Sequence, residues 1–555
     1  MRTIFLRFSF PVFLFPVFVF AQVAPDKYFV SFTDKLNNPY SVSNPSAFLS
    51  ARALQRRSNQ NISINITDLP VTPSYVDTII AHGAAVLNVT KWLNGVIIQT
   101  TDTNVLNSIE ALPFVSAIKS LLPQPDVLPK AFEHRDKFEK INLTKSPSAV
   151  AGNPTYGGAW NQLEMLHADF LHSSGFFGTG KWIAVLDAGF EGADTIPAFA
   201  NLHANNRVIA VRDFVDGDTI VYAHHYHGTA VLSCMAADVP GDMVGTAPAA
   251  SYLLLRTEDA ATEFIIEEYN WSCGAEFADS LGADVINSSL GYTTFDDPQY
   301  DHSYPDMNGD SAIVTQAADI AASKGMLVIV SAGNSGGSPW HFIGSPADAD
   351  SALAVGAVDS FGVSVAFSSR GPSSDGRVKP NVCAQGLDAF VAIPDGSYVY
   401  GSGTSFASPI MAGAAACFWQ SCPAYGNMQI LYAIQASASH YFTPDTLYGY
   451  GIPDFELACI ILKNLYPLSD DDILTLYPNP FSESCLLLFY TPRSGSIHAE
   501  VFDILGKKVL DKTFSAHGQS LFNFTLNAPD LPGKGAYIIR ITTDEKTVVR
   551  KIIRD

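Results

Sequence analysis

Five short runs between residues 181 and 358, KWIAVLD, SYLLLRT, ADVINSSLG, MLVIVSAGN and SALAVGAV, are apolar almost without interruption. A strand with one wet face alternates polar and apolar residues, so a continuous run must be covered on both faces, as in a parallel sheet wrapped by helices. Helical patterns lie between the runs. In DSAIVTQAADIAASKG, Asp310 is placed to cap the helix and Gly325 to end it. Residues 149–465 are therefore expected to form an α/β domain around a doubly wound, mainly parallel sheet.

A chain of 555 residues is long enough for roughly two to four domains, and the flanks of this one are patterned differently. Residues 22–148 begin with a strand, KYFVSFTD. A helix SAFLSARALQRR follows, with Asn44 placed to cap it and Pro45 in its first turn. PSYVDTIIAHG then reads as helix, VLNVTKWLNGVIIQTT as strand, TNVLNSIEALPFV as helix and SAIKSLL as strand, which makes a small α+β unit. The polar, proline-marked stretch PQPDVLPKAFEHRDKFEKINLTKSPSAVAGNP reads as an exposed linker. Beyond the charged junction LSDDDI, residues 470–555 hold only strand-like runs: ILTLYP, CLLLFY, IHAEVFD, KVLDKTF, SLFNFTL, AYIIRIT and TVVRKII. Such a series is expected to fold as a β-sandwich.

The first 21 residues have the form of an export signal. Arg2 and Arg7 precede an apolar run to Phe20, and Val19 and Ala21 suit the positions before a signal-peptidase cut after Ala21. Pro11 and Pro16 interrupt that run, and no later run of about 18 apolar residues follows, so the mature chain is expected to lack a transmembrane segment. A net charge of −21 argues against sequence-independent binding of nucleic acid. Seven cysteines leave at least one unpaired. Cys417 and Cys422 could bridge locally in an oxidising compartment, whereas Cys234 and Cys459, in apolar surroundings, are expected to be buried thiols.

Ligands of an open parallel sheet bind beyond the carboxyl ends of its strands. Three of the apolar runs end on polar groups there: Asp187, Ser289 to Gly291, and Asn334. Each has an ordinary structural alternative. Asp-x-Gly after a strand is a common turn, His227 at the start of a small-residue helix could be packed or solvated, Asn334 could sit in a turn, and Ser405 in GTSFASPIMAG could satisfy a helix N-terminus. Together they complete one chemistry. A serine nucleophile needs a base, and a histidine serves if an aspartate holds its Nδ1 proton and stabilises the imidazolium. The oxyanion that follows needs donors, which the Asn334 amide and the Ser405 N–H can supply.

The motifs VLDAGF, HGTAVLS, NSSLG, SAGNSG and GTSFASP, in that order, resemble the subtilisin-like serine proteases (the subtilases, peptidase family S8) over about 300 residues. The resemblance implies Asp187, His227 and Ser405 as the charge-relay residues, Asn334 as oxyanion donor, and Ser289, Leu290 and Gly291 as a strip pairing with an extended substrate backbone. Two positions depart from the family pattern. Ala188 stands where Thr or Ser is usual, and Phe406 where Met is. The front unit is similar to subtilase propeptides, which assist folding and inhibit the protease until they are cut away, here between about 140 and 155. The end domain, through LYPNPF, VFDILGKKV and GAYIIRI, resembles the C-terminal sorting domain of the type IX secretion system. The expected protein is a secreted or surface serine endopeptidase acting on proteins or peptides, with its own propeptide as inhibitor and the type IX machinery as partner. An inactive binding protein on the same scaffold and a serine esterase are the competing readings.

No cofactor is expected for catalysis, and no metal is assigned. DMNGDS spaces Asp306, Asn308 and Asp310 like the start of a calcium loop but lacks its glycine and closing glutamate, so structural calcium is not predicted. His224, His225 and His227 lack a supporting ligand set for zinc.

Overall fold

The structure is a computed structural model that describes residues 26–121, 137–138, 153, 155–465, 474–491, 494–516, 520–544 and 546–555. The export signal, the junction LSDDDI and nearly all of the stretch expected to be cut lie outside the described residues.

The N-terminal unit runs β1 (Lys27–Phe32), α1 (Ala51–Asn59), α2 (Pro73–Ala81), β2 (Ala85–Thr90), β3 (Gly95–Gln99), α3 (Thr103–Glu110) and β4 (Val115–Ser120). Its antiparallel sheet has the order β2-β3-β1-β4. VLNVTKWLNGVIIQTT is two strands rather than one. Residues 91–94 turn the chain into a hairpin closed by the Thr90–Gly95 pair, with Asn94 at φ +48°. The first helix also starts later than expected. Pro45–Ala47 form only a 3-10 turn, and the Ser50 hydroxyl, not Asn44, caps α1 by accepting from the Ala53 N–H at 3.0 Å.

The central domain contains α4 (Trp160–Glu164), α5 (Ala168–Ser173), β5 (Trp182–Asp187), α6 (Ala200–Ala204), β6 (Val208–Asp213) and α7 (His227–Ala236). The two-residue strands β7 (Asp238–Val239) and β8 (Met243–Val244) follow, then β9 (Ser251–Arg256), α8 (Ile266–Leu281), β10 (Val285–Ser288), α9 (Ile313–Ser323), β11 (Leu327–Ser331) and β12 (Ala352–Val358). The chain continues through β13 (Val382–Gln385), β14 (Ala389–Ala392), β15 (Tyr398–Gly401), α10 (Thr404–Ser421), α11 (Asn427–Ala436) and α12 (Phe455–Leu465). Seven strands form one parallel sheet in the order β13-β12-β11-β10-β5-β9-β6.

The five apolar runs are its five central strands, and β6 and β13 add the edges. Successive residues feed opposite cores, as the continuous hydrophobicity requires. Ile183 and Val185 of β5 pack with α7 and α10, while Ala184 and Leu186 pack with α8 and α9. The second core also takes in Phe29, Trp92, Ile97 and Leu121 of the N-terminal unit. Gly325, with φ +90°, ends α9 as expected, but Asp310 does not cap it. The residue before α9 is Ala312, and the Asp310 carbonyl instead accepts from the Gln316 amide at 2.7 Å.

The chain order reverses at the β5–β10 boundary. From β5 it runs outward to β6 and back to β9; from β10 it steps away through β11 and β12 to β13. A crevice opens beyond the strand ends at such a switch point. The C-terminal strands β16 (Leu474–Tyr477), β17 (Ser484–Thr491), β18 (Gly495–Asp503), β19 (Lys508–Ala516), β20 (Ser520–Asn527), β21 (Gly535–Thr543) and β22 (Thr547–Arg554) form sheets ordered β16-β17-β20 and β19-β18-β21-β22. Leu487 and Phe489 of one sheet and Val501 and Ile539 of the other share one core. Among the described residues no helix is long and apolar enough to cross a membrane.

Candidate active site

Asp187 is the last residue of β5 and fully buried. A carboxylate so placed needs donors, and two are supplied. The Ala188 N–H donates to Oδ1 at 2.8 Å, and His227 Nδ1 donates at 2.8 Å to Oδ1 and 3.1 Å to Oδ2. His227 is the first residue of α7, all ten residues of which are buried. The turn after Asp187 must let the loop before α7 come close. Gly189 has φ +143°, and a Cβ there would lie 2.6 Å from the His224 Cβ and 2.7 Å from the His225 backbone nitrogen. With Nδ1 committed to Asp187, Nε2 is the imidazole nitrogen left for a reacting hydroxyl.

Ser405 is the second residue of α10 and 9% exposed. Gly403 precedes the helix with φ +156°, a conformation side chains disfavour. Pro409 lies inside α10 and has no N–H for the carbonyl four residues back, which is that of Ser405. The Ser289 hydroxyl takes that carbonyl at 2.8 Å, and the Ser405 hydroxyl donates to the Ser289 carbonyl at 3.3 Å. In this state the nucleophile candidate is thus turned toward the end of β10 rather than toward the imidazole. Asn334 stands just past β11. Its Oδ1 accepts from the Thr404 N–H at 2.9 Å and the Thr404 hydroxyl at 2.8 Å, so the amide presents its nitrogen end to the cleft. Ser289, Leu290 and Gly291 line the same cleft of ≈ 290 Å³ together with Asn334 and Ser405.

All seven sequence-derived site residues therefore lie in or against one crevice, but they do not account for its occupants. Lys137 and Phe138 sit in it. The Phe138 ring lies on His227 with centroids 4.3 Å apart, and Lys137 reaches Glu258, Glu263 and Glu267 at 2.9, 3.4 and 2.8 Å. The signal for those acids was TEDAATEFIIEE, which follows β9, a fourth strand whose carboxyl end opens on the same edge.

Three groups of acidic and histidine side chains converge closely enough to hold a cation among the described residues. Each already has a basic side chain: Arg256 between Asp213 and Asp216, Lys137 among the three glutamates, and Lys508 with Arg540 at Glu500. Asp306 binds Ser303, and Asn308 Oδ1 accepts from the N–H groups of Asp310 and Ser311, so these residues build turns. All seven cysteines are free. Cys417 does not bridge Cys422, because its thiol points to the Thr246 carbonyl at 3.1 Å. Cys422 instead neighbours Cys459, which with Ser421 brings its thiol down to about 6 against the opposing effect of burial.

The sequence matches the subtilase family over residues 178–451, the peptidase S8 propeptide domain of Bacteroidota over 27–134, and the secretion system C-terminal sorting domain over 475–555. Subtilisin E of Bacillus subtilis (strain 168) is 32% identical over 300 residues, covering 53% of this chain and 70% of that protein. Subtilisin BL of Lederbergia lenta is 30% identical over 297 residues, 53% of this chain and 97% of that one. The alkaline protease of Shouchella clausii is 29% identical over 361 residues, 65% and 83% of the two chains.

Proposed function

Since the chain belongs to the subtilase family and is a serine-type endopeptidase with a propeptide and a type IX sorting domain, we propose that it cuts protein substrates through an acyl-enzyme on Ser405. The sorting domain directs the chain to secretion or the cell surface. The reading is carried by one observation: the buried Asp187–His227 pair, bonded at 2.8 Å, lies against the Phe138 ring, which lines the cleft together with Ser405 and Asn334.

Substrate backbone pairs with Ser289 to Gly291, which brings a carbonyl carbon to Ser405. The Ser405 hydroxyl leaves the Ser289 carbonyl by a side-chain rotation and gives its proton to His227 Nε2 as Oγ attacks. Asp187 stabilises the imidazolium without taking the proton itself. Negative charge then gathers on the former carbonyl oxygen, which the Asn334 amide nitrogen and the Ser405 N–H receive. His227 returns the proton to the leaving amine, and water, activated by the same imidazole, releases the acyl group. No step needs a metal or cofactor. Ala188 and Phe406, the two departures from the family pattern, remove no group that this sequence uses.

The N-terminal unit acts as inhibitor, because its Phe138 ring covers the base. The reading is tested with casein and a fluorophosphonate probe. The wild-type protein should cut itself free of the N-terminal unit, take up the label and degrade casein. The Ser405→Ala chain should remain full length and do neither, with kcat down by about 10⁶-fold. Casein hydrolysis that survives Ser405→Ala would place the nucleophile elsewhere.

A further inference from the structure

Glu258, Glu263 and Glu267 come from the loop after β9 and the first turn of α8, and converge on one ammonium. The side chains of Glu258 and Glu267 are each 1% exposed, and that of Lys137 is 13% exposed. Buried carboxylates are costly unless paired, and here three face one cation. The peptidase domain itself holds two of them in place. The Tyr292 hydroxyl donates to Glu258 Oε1, as does the Thr257 hydroxyl at 3.3 Å, and the Asp259 N–H donates to Glu267 Oε1 at 2.9 Å. These contacts are built without the N-terminal segment. Glu263 Oε1 is buried with no hydrogen-bond partner. The pocket thus offers more acceptors than one lysine satisfies.

Lys137 enters this pocket as part of a main chain held in the cleft. Its N–H donates to the Ala260 carbonyl at 3.1 Å, and the next residue, Phe138, lies on the His227 ring. A bound peptide would occupy the same place, with one main-chain bond to the loop after β9 and the neighbouring residue over the base.

We infer that Glu258, Glu263 and Glu267 form a subsite that selects an arginine or lysine side chain of the protein being cut, and that Lys137 occupies it in the precursor. The inference rests on the serine-peptidase reading above and names the substrate feature it leaves open. When the N-terminal segment leaves, the pocket loses its cation, and a substrate's basic side chain restores the pairing. Arginine, with five N–H donors in a planar fork, meets more of the acceptors than lysine does. Burial disfavours the Lys137 ammonium, yet Glu258, Glu263 and Glu267 hold its pKa well above the usual value, and burial lifts Glu263 to about 7. An uncharged side chain would leave those acids to take up protons instead.

The test uses the self-processed wild-type protein and fluorogenic peptides that differ at one position at a time around the scissile bond, each scanned through Arg, Lys, Gln and Glu. At one position kcat/KM should be tenfold or more higher for Arg and Lys than for Gln, with Glu the poorest. In the Glu258→Gln/Glu267→Gln variant, titrated with fluorophosphonate to count folded active sites, the Arg-to-Gln ratio at that position should fall toward one. A flat scan on enzyme that labels and degrades casein overturns the subsite and leaves the peptidase reading intact. So does a basic preference undiminished in the double variant. Absence of both labelling and casein hydrolysis overturns the peptidase reading, and the subsite with it. The wild-type scan decides even if the double variant does not fold.

Discussion

Two of the charged contacts between the N-terminal unit and the peptidase are built in opposite proportion. On α8, Asp279 receives Arg56 at 2.5 Å, Arg57 at 2.8 Å and Lys91 at 3.2 Å, all buried, and Arg57 also reaches Asp68 of its own unit at 2.9 Å. In the cleft, three glutamates receive Lys137 alone. Asp279 and the three glutamates belong to the peptidase, and the bases that converge on them to its N-terminal partner. Burial pushes carboxyl groups up in each, and the balance then diverges. Lys91, Arg56 and Arg57 bring Asp279 down to about 2, whereas Glu263 stays at about 7. An acid surrounded by surplus base holds its partner tightly, and a cluster with surplus acid can exchange one base for another. The first contact suits docking and the second suits turnover.

The largest expected break in this contrast comes at the docking face. Asp279→Ala takes the shared acid from three buried cations, of which Arg57 keeps Asp68, and loss of one partner from a buried pair costs about 3–5 kcal/mol. The cut N-terminal unit should then inhibit at least 100-fold less tightly, measured as its inhibition constant against a peptide substrate. Asn334→Ala should touch neither contact yet lower kcat by about 10²–10³-fold. A change in the inhibition constant as large as the change in kcat would show that the amide also holds the inhibitor.

Acid should sharpen the contrast further. Asp279 has a depressed pKa when docked, so its contribution is complete above the ordinary value of 3.8 and is lost as pH falls from there through about 2. That loss amounts to about 2 kcal/mol. Burial raises Glu276, so its slope has the opposite sign, and the measurement is cleanest in a Glu276→Gln background. Docking that weakens between pH 7 and pH 5 in that background would contradict the assignment to Asp279. The smallest effect is expected for Lys137→Gln. Its glutamates can take protons in place of the ammonium, so inhibition should weaken by about 1 kcal/mol, less than the value for a rigid buried pair. An effect equal to that of Asp279→Ala would erase the difference between the two contacts.

What could be read from the sequence follows the range of the signal. The five central strands are visible because burial on both faces leaves an unbroken apolar run, while edge strand β6 is only half-buried over Val208–Arg212 and carries a weaker pattern. The seven C-terminal strands are short runs marked off by turns, and all seven were legible. Asp187, His227, Asn334 and Ser405 could be gathered because each sits at an element end with its own short motif. The glutamate pocket could not, because its meaning depends on Lys137, more than a hundred residues earlier in a stretch without pattern. Local competition explains the smaller misses. Asn44 and Asp310 both have the chemistry of a helix cap, but the chain spends them in turns ahead of α1 and α9.

Glu276 holds the hairpin between β2 and β3 by accepting from the N–H groups of Lys91 and Trp92 at 2.7 and 3.0 Å, and from the Thr90 hydroxyl. Two of these three bonds ignore side-chain identity. Over evolutionary time position 92 can therefore drift without losing this grip, except to proline, which has no N–H to give. A precursor and a protease that have diverged in sequence can in this way still recognise each other through the shared geometry of a turn.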